Sequence, residues 1–395
     1  AEIFIDTWAL VNPGNPDRAA KMAREAASVS HDGVAVDAAV YLAVMEAMAF
    51  EEKDINRLLD EGLKYIDNED FKKLIAELRE RCAKAADWYE VRQWIAEEHG
   101  YDKYPGNCPM LTNHLTLLMA FIMGGDDFQK SCMIACSAGW DTDCNSGNVG
   151  CLNGIRLGLD GFNKGADLRK PVADRLYVVT SDGGSCISDA VLETRKILKA
   201  AAALEGENID LPEERFAFEY PGAVQGIIPY DGDVEEQVLT KIENSYETTG
   251  EYGCKISYEG LASGVHASVA VDTFIDLKPK GKEGTSYFDV LCCPTLYSGQ
   301  DIKLVVDAPA EKNPELELFF EYFDENDELQ NLYCGRNQLK KGLNTIELRV
   351  PDTEGHPIFR LGLRLTSEER LDGNIIIKTL DWSNAPVLYR MGRSM

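Results

Sequence analysis

The spacing of apolar residues changes its period about half-way along the chain. Up to about residue 205, apolar positions recur every three or four residues in segments bounded by Gly, Asp or Asn, which predicts helices. The segment GVAVDAAVYLAVMEAMAF, residues 33–50, is apolar almost all round and predicts a buried central helix. The connections are short and no heptad repeat persists. We therefore expect an all-α domain whose helices cross in several directions.

Beyond this point apolar and polar residues alternate. About eight such segments between residues 255 and 382, separated by Gly, Pro, Asn and Asp, predict strands of an antiparallel, jelly-roll-like β-sandwich. Residues 206–222 are charged and contain prolines, and we interpret them as a linker. The predicted layout is a helical domain over residues 1–205, the linker, a β-sandwich over residues 223–385 and an abruptly ending tail over residues 386–395.

The charge of the chain argues against two classes of partner. The 395 residues include 40 Lys and Arg against 67 Asp and Glu, a formal net charge of −27. Such an acidic chain is not expected to bind nucleic acid or an anionic membrane. No apolar run approaches the roughly 18 residues of a transmembrane helix, and the N-terminal segment has no basic signal-peptide region. We expect a cytoplasmic protein, although the start within an apolar stretch, without Met, indicates a cut N-terminus.

The cysteines predict no metal site of their own. There are eleven, without a CxxC pair, and their spacing fits no common zinc pattern. We expect free, mostly buried thiols in a reducing compartment.

The strongest candidate for chemistry is the run GWDTDCNSGN, residues 139–148. It places Asp141 and Asp143 one residue apart at a predicted helix start, followed by thiol, amide and hydroxyl groups. Asp-x-Asp pairs also follow buried strands in haloacid-dehalogenase-type phosphotransferases and nucleotide-sugar glycosyltransferases, but the residues before Asp141 are predicted to be helical. Two interpretations remain. The carboxylates bind a divalent metal such as Mg²⁺, or they cap the next helix.

The longer run GWDTDCNSGNVGCLNGIRLG, residues 139–158, resembles the C-terminal metal-binding motif of the ADP-ribosylglycohydrolases, which include the dinitrogenase-reductase-activating glycohydrolase. Upstream, residues 106–139 resemble the family's Asn-initiated helix and its Gly-Asp-Phe-x-Lys helix start. AAKMAREAASVSHDG, residues 19–33, resembles the segment that carries the family's Thr/Ser-His pair. The resemblance covers the helical half almost throughout and implies the family's all-α fold there.

The resemblance implies a role for each matching residue. Asp141 and Asp143 would be ligands of a binuclear Mg²⁺ centre that holds the ribose hydroxyls. Cys144 stands where the family usually has a threonine whose hydroxyl joins the metal shell, and sulfur suits Mg²⁺ less well than oxygen. Substrate-binding residues would be His31, Asp32, Asn113, Trp140 and Asn145. His31 can equally be a structural histidine, and the two asparagines can equally be helix caps.

The resemblance also implies groups for which this sequence shows no equivalent. They are a Thr-Asp-Asp-type run of further metal ligands and the acidic catalytic residue, both expected upstream of Ala1. AEIFIDTWALV, residues 1–11, aligns with a family stretch whose loop holds the distal phosphates, and Phe4 falls near its arginine. The implied reaction is Mg²⁺-assisted hydrolysis of a glycosidic bond at ribose C1. Its substrate would be free or protein-linked ADP-ribose or another riboside, and this chain alone is expected to be inactive.

The alternative is a non-catalytic helical scaffold that presents a glycan- or protein-binding β-sandwich. In the sandwich, Leu316, Leu318 and Phe320 alternate as core residues do, whereas Tyr287, Phe319 and Phe323 are less easily placed. Sugar-binding sandwiches use exposed aromatic residues on one face. We therefore interpret the β-sandwich as an ancillary module with carbohydrate as a possible ligand.

Overall fold

The computed structural model describes residues 1–178, 183–232, 236–275 and 292–384. The chain divides into two compact units. One, the helical unit, consists of Ala1–Asp167 and Ile197–Ile209. The other, the β-rich unit, consists of Leu168–Lys196 and Asp210–Met395. The chain thus enters the β-rich unit, returns to the helical unit and leaves it again.

The helical unit is built from short helices, several of which begin at an Asn or Asp whose side chain accepts a backbone N–H bond. Asn15 accepts such a bond from Arg18, with Pro16 in the first turn. The helices are α1 (Asp6–Leu10), α2 (Pro16–Ala27), α3 (Val34–Met48), α4 (Ile55–Leu63), α5 (Glu69–Lys84), α6 (Trp88–His99), α7 (Met110–Gly124), α8 (Phe128–Ser137) and α9 (Thr142–Phe162). Helix α10 (Ala190–Leu204) contributes residues to both units.

The predicted central helix is confirmed as α3. Val36 and residues 38–47 are buried, and they form one apolar core with side chains of the surrounding helices. Glu46 is the exception within this apolar helix, since its carboxyl group is also buried. Charged side chains are rarely buried without a partner, so this position needs an explanation of its own.

The β-rich unit contains twelve strands among the described residues. They are β1 (Arg175–Tyr177), β2 (Ile187–Asp189), β3 (Ile228–Pro229), β4 (Leu239–Asn244), β5 (Cys254–Leu261), β6 (Ala267–Asp272), β7 (Asp301–Ala308), β8 (Glu315–Phe323), β9 (Leu329–Gln338), β10 (Gly342–Arg349), β11 (Ile358–Thr366) and β12 (Leu371–Ser383), with the short helix α11 (Tyr246–Thr249) after β4. Strands β1 and β2 pair as a small hairpin.

The remaining strands form two five-stranded antiparallel sheets, in the orders β10-β7-β12-β5-β4 and β3-β6-β11-β8-β9. Both sheets contribute to one core, with Val306 and Leu380 from the first and Leu318 and Leu363 from the second. Two sheets that share a core are a β-sandwich. The predicted fold class, a helical domain followed by an antiparallel β-sandwich, is confirmed.

The alternation in β8 follows the predicted pattern. Leu316, Leu318 and Phe320 lie in the sandwich core, whereas Phe319 packs on the opposite face with Tyr230. Its ring lies across the neighbouring strand at Gly362, where a Cβ atom would stand 2.0 Å from the ring. Only glycine leaves room for this close approach. Tyr287 and the predicted tail lie outside the described residues.

The predicted linker, residues 206–222, differs from the observed organisation. Residues 206–214 are almost all exposed, but Phe216 and Phe218 are buried with the sandwich core. The backbone of Phe216 pairs with Leu380, with N···O distances of 3.1 and 3.0 Å. The second half of the segment is therefore part of the β-rich unit, as are residues 168–196, which were predicted to be helical-domain residues.

All eleven cysteines are free, as the sequence predicts. Their burial is less complete than expected. Cys82, Cys186 and Cys254 are buried, and Cys108 and Cys136 are exposed. Among the described helices, none combines the length and the apolar character that crossing a lipid bilayer requires.

Candidate metal and substrate site

The backbone in front of α9 is strained. Gly139, Trp140 and Asp141 have φ angles of 81°, 57° and 44°, and the last two are not glycines. A non-glycine residue in this region costs on the order of 1–3 kcal/mol and persists only where the surroundings hold it. Asp141 precedes the first helical residue, but its side chain accepts no capping hydrogen bond. The capping alternative is therefore not observed for Asp141.

The turn brings three potential ligands together. One ligand atom each of Asp141, Asp143 and Cys144 lies within 4.8 Å of the others. Asp143 is exposed, and Asp141 and Cys144 are half-buried. Two carboxylates at this spacing suit a hard divalent cation such as Mg²⁺, which prefers oxygen ligands.

The thiol of Cys144 suits such an ion less well than the two carboxylates do. Burial raises the pKa of Cys144 to about 12, and its hydrogen bond to Asp141 and the charges of both aspartates add to the shift. Because the thiolate is the form that binds metals, an ion would have to displace this proton before the sulfur could join the two aspartates. Cys144 instead donates a hydrogen bond to Asp141.

Trp140 is held in place by residues that the sequence did not single out. The guanidinium carbon of Arg92 lies 4.4 Å from the centre of the Trp140 ring. Nε of Arg92 also donates to the carbonyl oxygen of Ala138, at 2.8 Å. The ring of Tyr101 lies 6.2 Å from that of Trp140. Arg92 thus joins both the ring and the backbone of the strained turn.

The two predicted asparagines belong to the same network. Nδ2 of Asn145 donates to the carbonyl oxygen of Trp140 at 2.9 Å, and Oδ1 of Asn113 accepts from the Tyr101 hydroxyl at 2.8 Å. Both amides are buried and lie inside helices, so neither is a helix cap. Tyr101 therefore connects Asn113 to the turn that carries Asp141. The sequence pattern did not indicate Tyr101, because its contact with Trp140 is with a loop distant in sequence.

His31 and Asp32 lie apart from this network. His31 is exposed, with Nδ1 2.8 Å from Oγ of Ser30, and partial burial lowers its pKa. Asp32 accepts a hydrogen bond from the backbone of Gly33 at 2.7 Å. Among the described residues, no hydrogen bond, ion pair or ring contact joins His31 or Asp32 to the turn at residues 139–145. Their role as substrate-binding residues stays a prediction.

Comparison with known proteins gives a different result for each half of the chain. Residues 6–202 match the family model described as ADP-ribosylglycohydrolase. No curated protein matches the sequence.

Three solved structures similar to the β-sandwich are carbohydrate-binding modules. One is a module of the β-sandwich superfamily described as promiscuous in specificity, with 15% identity and a TM-score of 0.32 over 45% of this chain; the match spans 64% of that module. Another is the xylan-binding domain CBM22-1 of Paenibacillus barcinonensis Xyn10C, with 15% identity and a TM-score of 0.29, covering 44% of this chain and 93% of that one. A third is the family 11 module of Clostridium thermocellum Lic26A-Cel5E, with 12% identity and a TM-score of 0.28, covering 46% of this chain and 100% of that one. These similarities are too weak to carry an argument, and the β-sandwich assignment rests on the two sheets themselves.

Proposed function

Because residues 6–202 of this chain belong to the ADP-ribosylglycohydrolase family, we propose that the protein hydrolyses a glycosidic bond at ribose C1 with the help of Mg²⁺. The substrate class is an ADP-riboside, free or protein-linked, or a related N- or O-riboside. The observation that carries the metal-dependent part is the pair Asp141 and Asp143, whose ligand atoms lie within 4.8 Å on a strained turn.

The charge around this pair favours a bound cation. Among the described residues, neither Asp141 nor Asp143 forms an ion pair with a Lys or Arg side chain. Two neighbouring carboxylates repel each other, and a divalent cation removes this repulsion. Mg²⁺ would contribute Lewis-acid stabilisation and fix the orientation of substrate hydroxyls.

The other residues of the site position these carboxylates. Asn145 and Arg92 hold the carbonyl oxygens of Trp140 and Ala138 on either side of Gly139, so they keep the turn in its strained form. Preorganised ligands cost little rearrangement when metal and substrate bind. Two protein carboxylates alone bind Mg²⁺ weakly, so further ligands or substrate oxygens must complete the coordination. We assign no catalytic base to the described residues.

The test is release of the ribosyl product from defined N- and O-linked ADP-ribosides, followed by chromatography. The assay uses residues 1–395 and, as the complete gene product, any longer product of the same gene, since the family's Thr-Asp-Asp-type run has no counterpart in this sequence. We expect hydrolysis by the complete product, its loss with a chelator and its return with excess Mg²⁺. Residues 1–395 alone are expected to be inactive. Absence of hydrolysis of every riboside by the complete product would contradict the proposal.

A second role, glycan binding, is favoured by the outer face of the sheet β3-β6-β11-β8-β9. The rings of Tyr230 and Phe319 lie 4.7 Å apart, and those of Phe319 and Tyr333 lie 5.5 Å apart. Tyr333, 36% exposed, presents aromatic surface to solvent. Asn331 donates to the Tyr230 hydroxyl at 2.7 Å, so polar groups lie beside the rings. Tyr230 and Phe319 are buried, and the guanidinium carbon of Arg364 lies 5.3 Å from the centre of the Tyr333 ring. The exposed part of Tyr333, with the exposed amide of Asn331 on the same strand, is therefore the surface that a sugar would contact.

We expect at least one soluble polysaccharide to retard the protein in affinity gel electrophoresis. Tyr333→Ala should abolish the retardation. Leu343→Ala, which removes a 70% exposed apolar side chain from β10 in the other sheet, should leave it intact. Equal retardation of both variants, or none of the unaltered protein across a broad polysaccharide panel, would remove this candidate role.

A further inference from the structure

A second group of potential ligand atoms lies inside the helical unit. Asp6 on α1, Glu46 on α3 and Cys151 on α9 place two carboxyl groups and a thiol within 4.8 Å of one another. Cys151 lies seven residues beyond Cys144, or about 10 Å along an ideal helix axis. The two groups of potential ligands therefore have no residue in common, although both include residues of α9.

Of the three side chains, that of Glu46 is the one that requires a partner. Its side chain is 0% exposed, and neither of its carboxyl oxygens has a hydrogen-bond partner among the described residues. Asp6 and Cys151 are polar groups that act on it, through contacts that fall short of well-formed hydrogen bonds with these oxygens. An unpaired carboxylate in such a position costs several kcal/mol, so it must take up a proton or meet a cation.

The surroundings supply a donor to Asp6 but no positive charge. Nδ2 of Asn148 donates to Oδ1 of Asp6 at 2.6 Å and to the carbonyl oxygen of Glu2 at 3.2 Å. Within the described part of the chain, no Lys, Arg or His forms an ion pair with Asp6 or Glu46. Burial raises the pKa of Asp6, Glu46 and Cys151. The charge of Asp6 adds to the shift of Glu46, and the charges of both carboxylates add to the shift of Cys151. A cation would offset both costs by replacing the protons.

We propose that Asp6, Glu46 and Cys151 form a binding site for a zinc-like divalent cation, separate from the Mg²⁺ site proposed at Asp141. Two carboxylate oxygens and one thiolate are a donor set that Zn²⁺ accepts, at about 2.0–2.2 Å for oxygen and about 2.3 Å for sulfur. Mg²⁺ disfavours sulfur, so the two sites select different metals. With bonds of this length, ligand atoms stand roughly 3.3–3.8 Å apart around a tetrahedral ion, which small side-chain movements reach from the observed spacing.

The site is structural in character. Its three ligands come from three different helices, one of which is the buried central helix α3. The ion would tie these helices together and neutralise a carboxyl pair that the apolar core cannot solvate. This inference does not depend on the proposed hydrolase activity, because it concerns ligand residues outside the turn at residues 139–145.

Cobalt provides the test, because Co²⁺ replaces Zn²⁺ and reports on thiolate ligands through charge-transfer absorption in the near ultraviolet. The full chain is stripped with a chelator and titrated with Co²⁺. We expect one equivalent to produce this band and Zn²⁺ to remove it. Cys151→Ser and Glu46→Gln should lack the band, whereas Cys144→Ser, which changes the thiol beside Asp141, should keep it.

Thermal unfolding provides the second measurement. Zn²⁺ should raise the unfolding midpoint of the stripped protein in proportion to the logarithm of its concentration, and should leave that of Glu46→Gln unchanged. Asp6→Asn, at a half-buried position, serves as a second ligand variant if Cys151→Ser does not fold. Absence of the cobalt band, or its persistence in Cys151→Ser or Asp6→Asn, would overturn the proposal. A stripped Glu46→Gln that is more stable than the parent, with no response of the parent to Zn²⁺, would identify a protonated carboxyl pair instead.

Discussion

Replacing Asp143 with asparagine is expected to lower kcat/KM for riboside hydrolysis by the complete gene product by more than about 100-fold. Loss of a group that merely supports a metal ligand costs about 10–100-fold in metal affinity or activity, and loss of a carboxylate ligand should cost more. Asp143 is exposed, and its side chain makes no hydrogen bond among the described residues. The free energy of unfolding should therefore change by no more than about 0.5 kcal/mol.

Two further variants make this result specific. Asp160→Asn removes an exposed carboxylate from the same helix and should leave kcat/KM unchanged. Cys144→Thr puts a hydroxyl beside Asp141 in place of a thiol whose pKa is raised to about 12. It should tighten Mg²⁺ binding, measured as a lower Mg²⁺ concentration for half-maximal activity, because oxygen suits this ion better than sulfur. Full activity of Asp143→Asn at limiting Mg²⁺ would show that the metal assignment is wrong.

Replacing Arg156 with methionine is expected to destabilise the helical unit by about 3–5 kcal/mol, the usual cost of removing one partner from a buried charged network. Its side chain is fully buried on α9. The guanidinium donates to the carbonyl oxygen of Lys53 at 2.9 Å, to Oδ1 of Asn153 at 3.1 Å and to the carbonyl oxygen of Gly125. Methionine fills much of the volume but leaves these acceptors without a donor, and unsatisfied buried acceptors are costly.

Urea unfolding followed by helical circular dichroism measures this effect. The matched control is Arg57→Met. Arg57 has a 73% exposed side chain and pairs with Glu52 at 3.2 Å. An exposed ion pair contributes about 0–1 kcal/mol, so this variant should unfold close to the parent. Similar midpoints for both variants would mean that Arg156 does not organise the loops before α4 and α8.

The predictions that depend on local pattern agree best with the structure. The apolar run at residues 33–50 contains α3, Val34–Met48, and the alternation in β8 identifies its core face. Asp141, Asp143 and Cys144 are close in space because they are close in sequence. In each of these cases the helical or extended period determines the neighbours directly.

What the sequence pattern did not reveal depends on contacts between distant residues. Phe216 was interpreted as part of a linker because charges and prolines surround it, yet it pairs with Leu380. Arg92 and Tyr101 support Trp140 from other helices and loops, and no spacing rule connects them. Glu46 is one of two acids in an otherwise apolar helix, and only the packing of α3 places it beside Asp6. Such contacts follow from the tertiary arrangement rather than from propensity.

Residues 168–196 belong to the β-rich unit, although the residues just before and just after them belong to the helical unit. This arrangement affects the order in which the protein can fold during synthesis. Arg175 and Tyr177 bind the carboxylate of Asp272 at 2.5 and 2.6 Å, and Arg175 emerges from the ribosome 97 residues earlier. At the usual translation rates, roughly 5–20 s pass between the synthesis of Arg175 in β1 and the synthesis of Asp272. The helices that precede β1 can already pack during this time. Because the helical unit also takes up residues 197–209, no single cut of the gene separates the two units cleanly. A gene fragment that ends at residue 209 encodes an intact set of helices interrupted by a segment whose partners are never made.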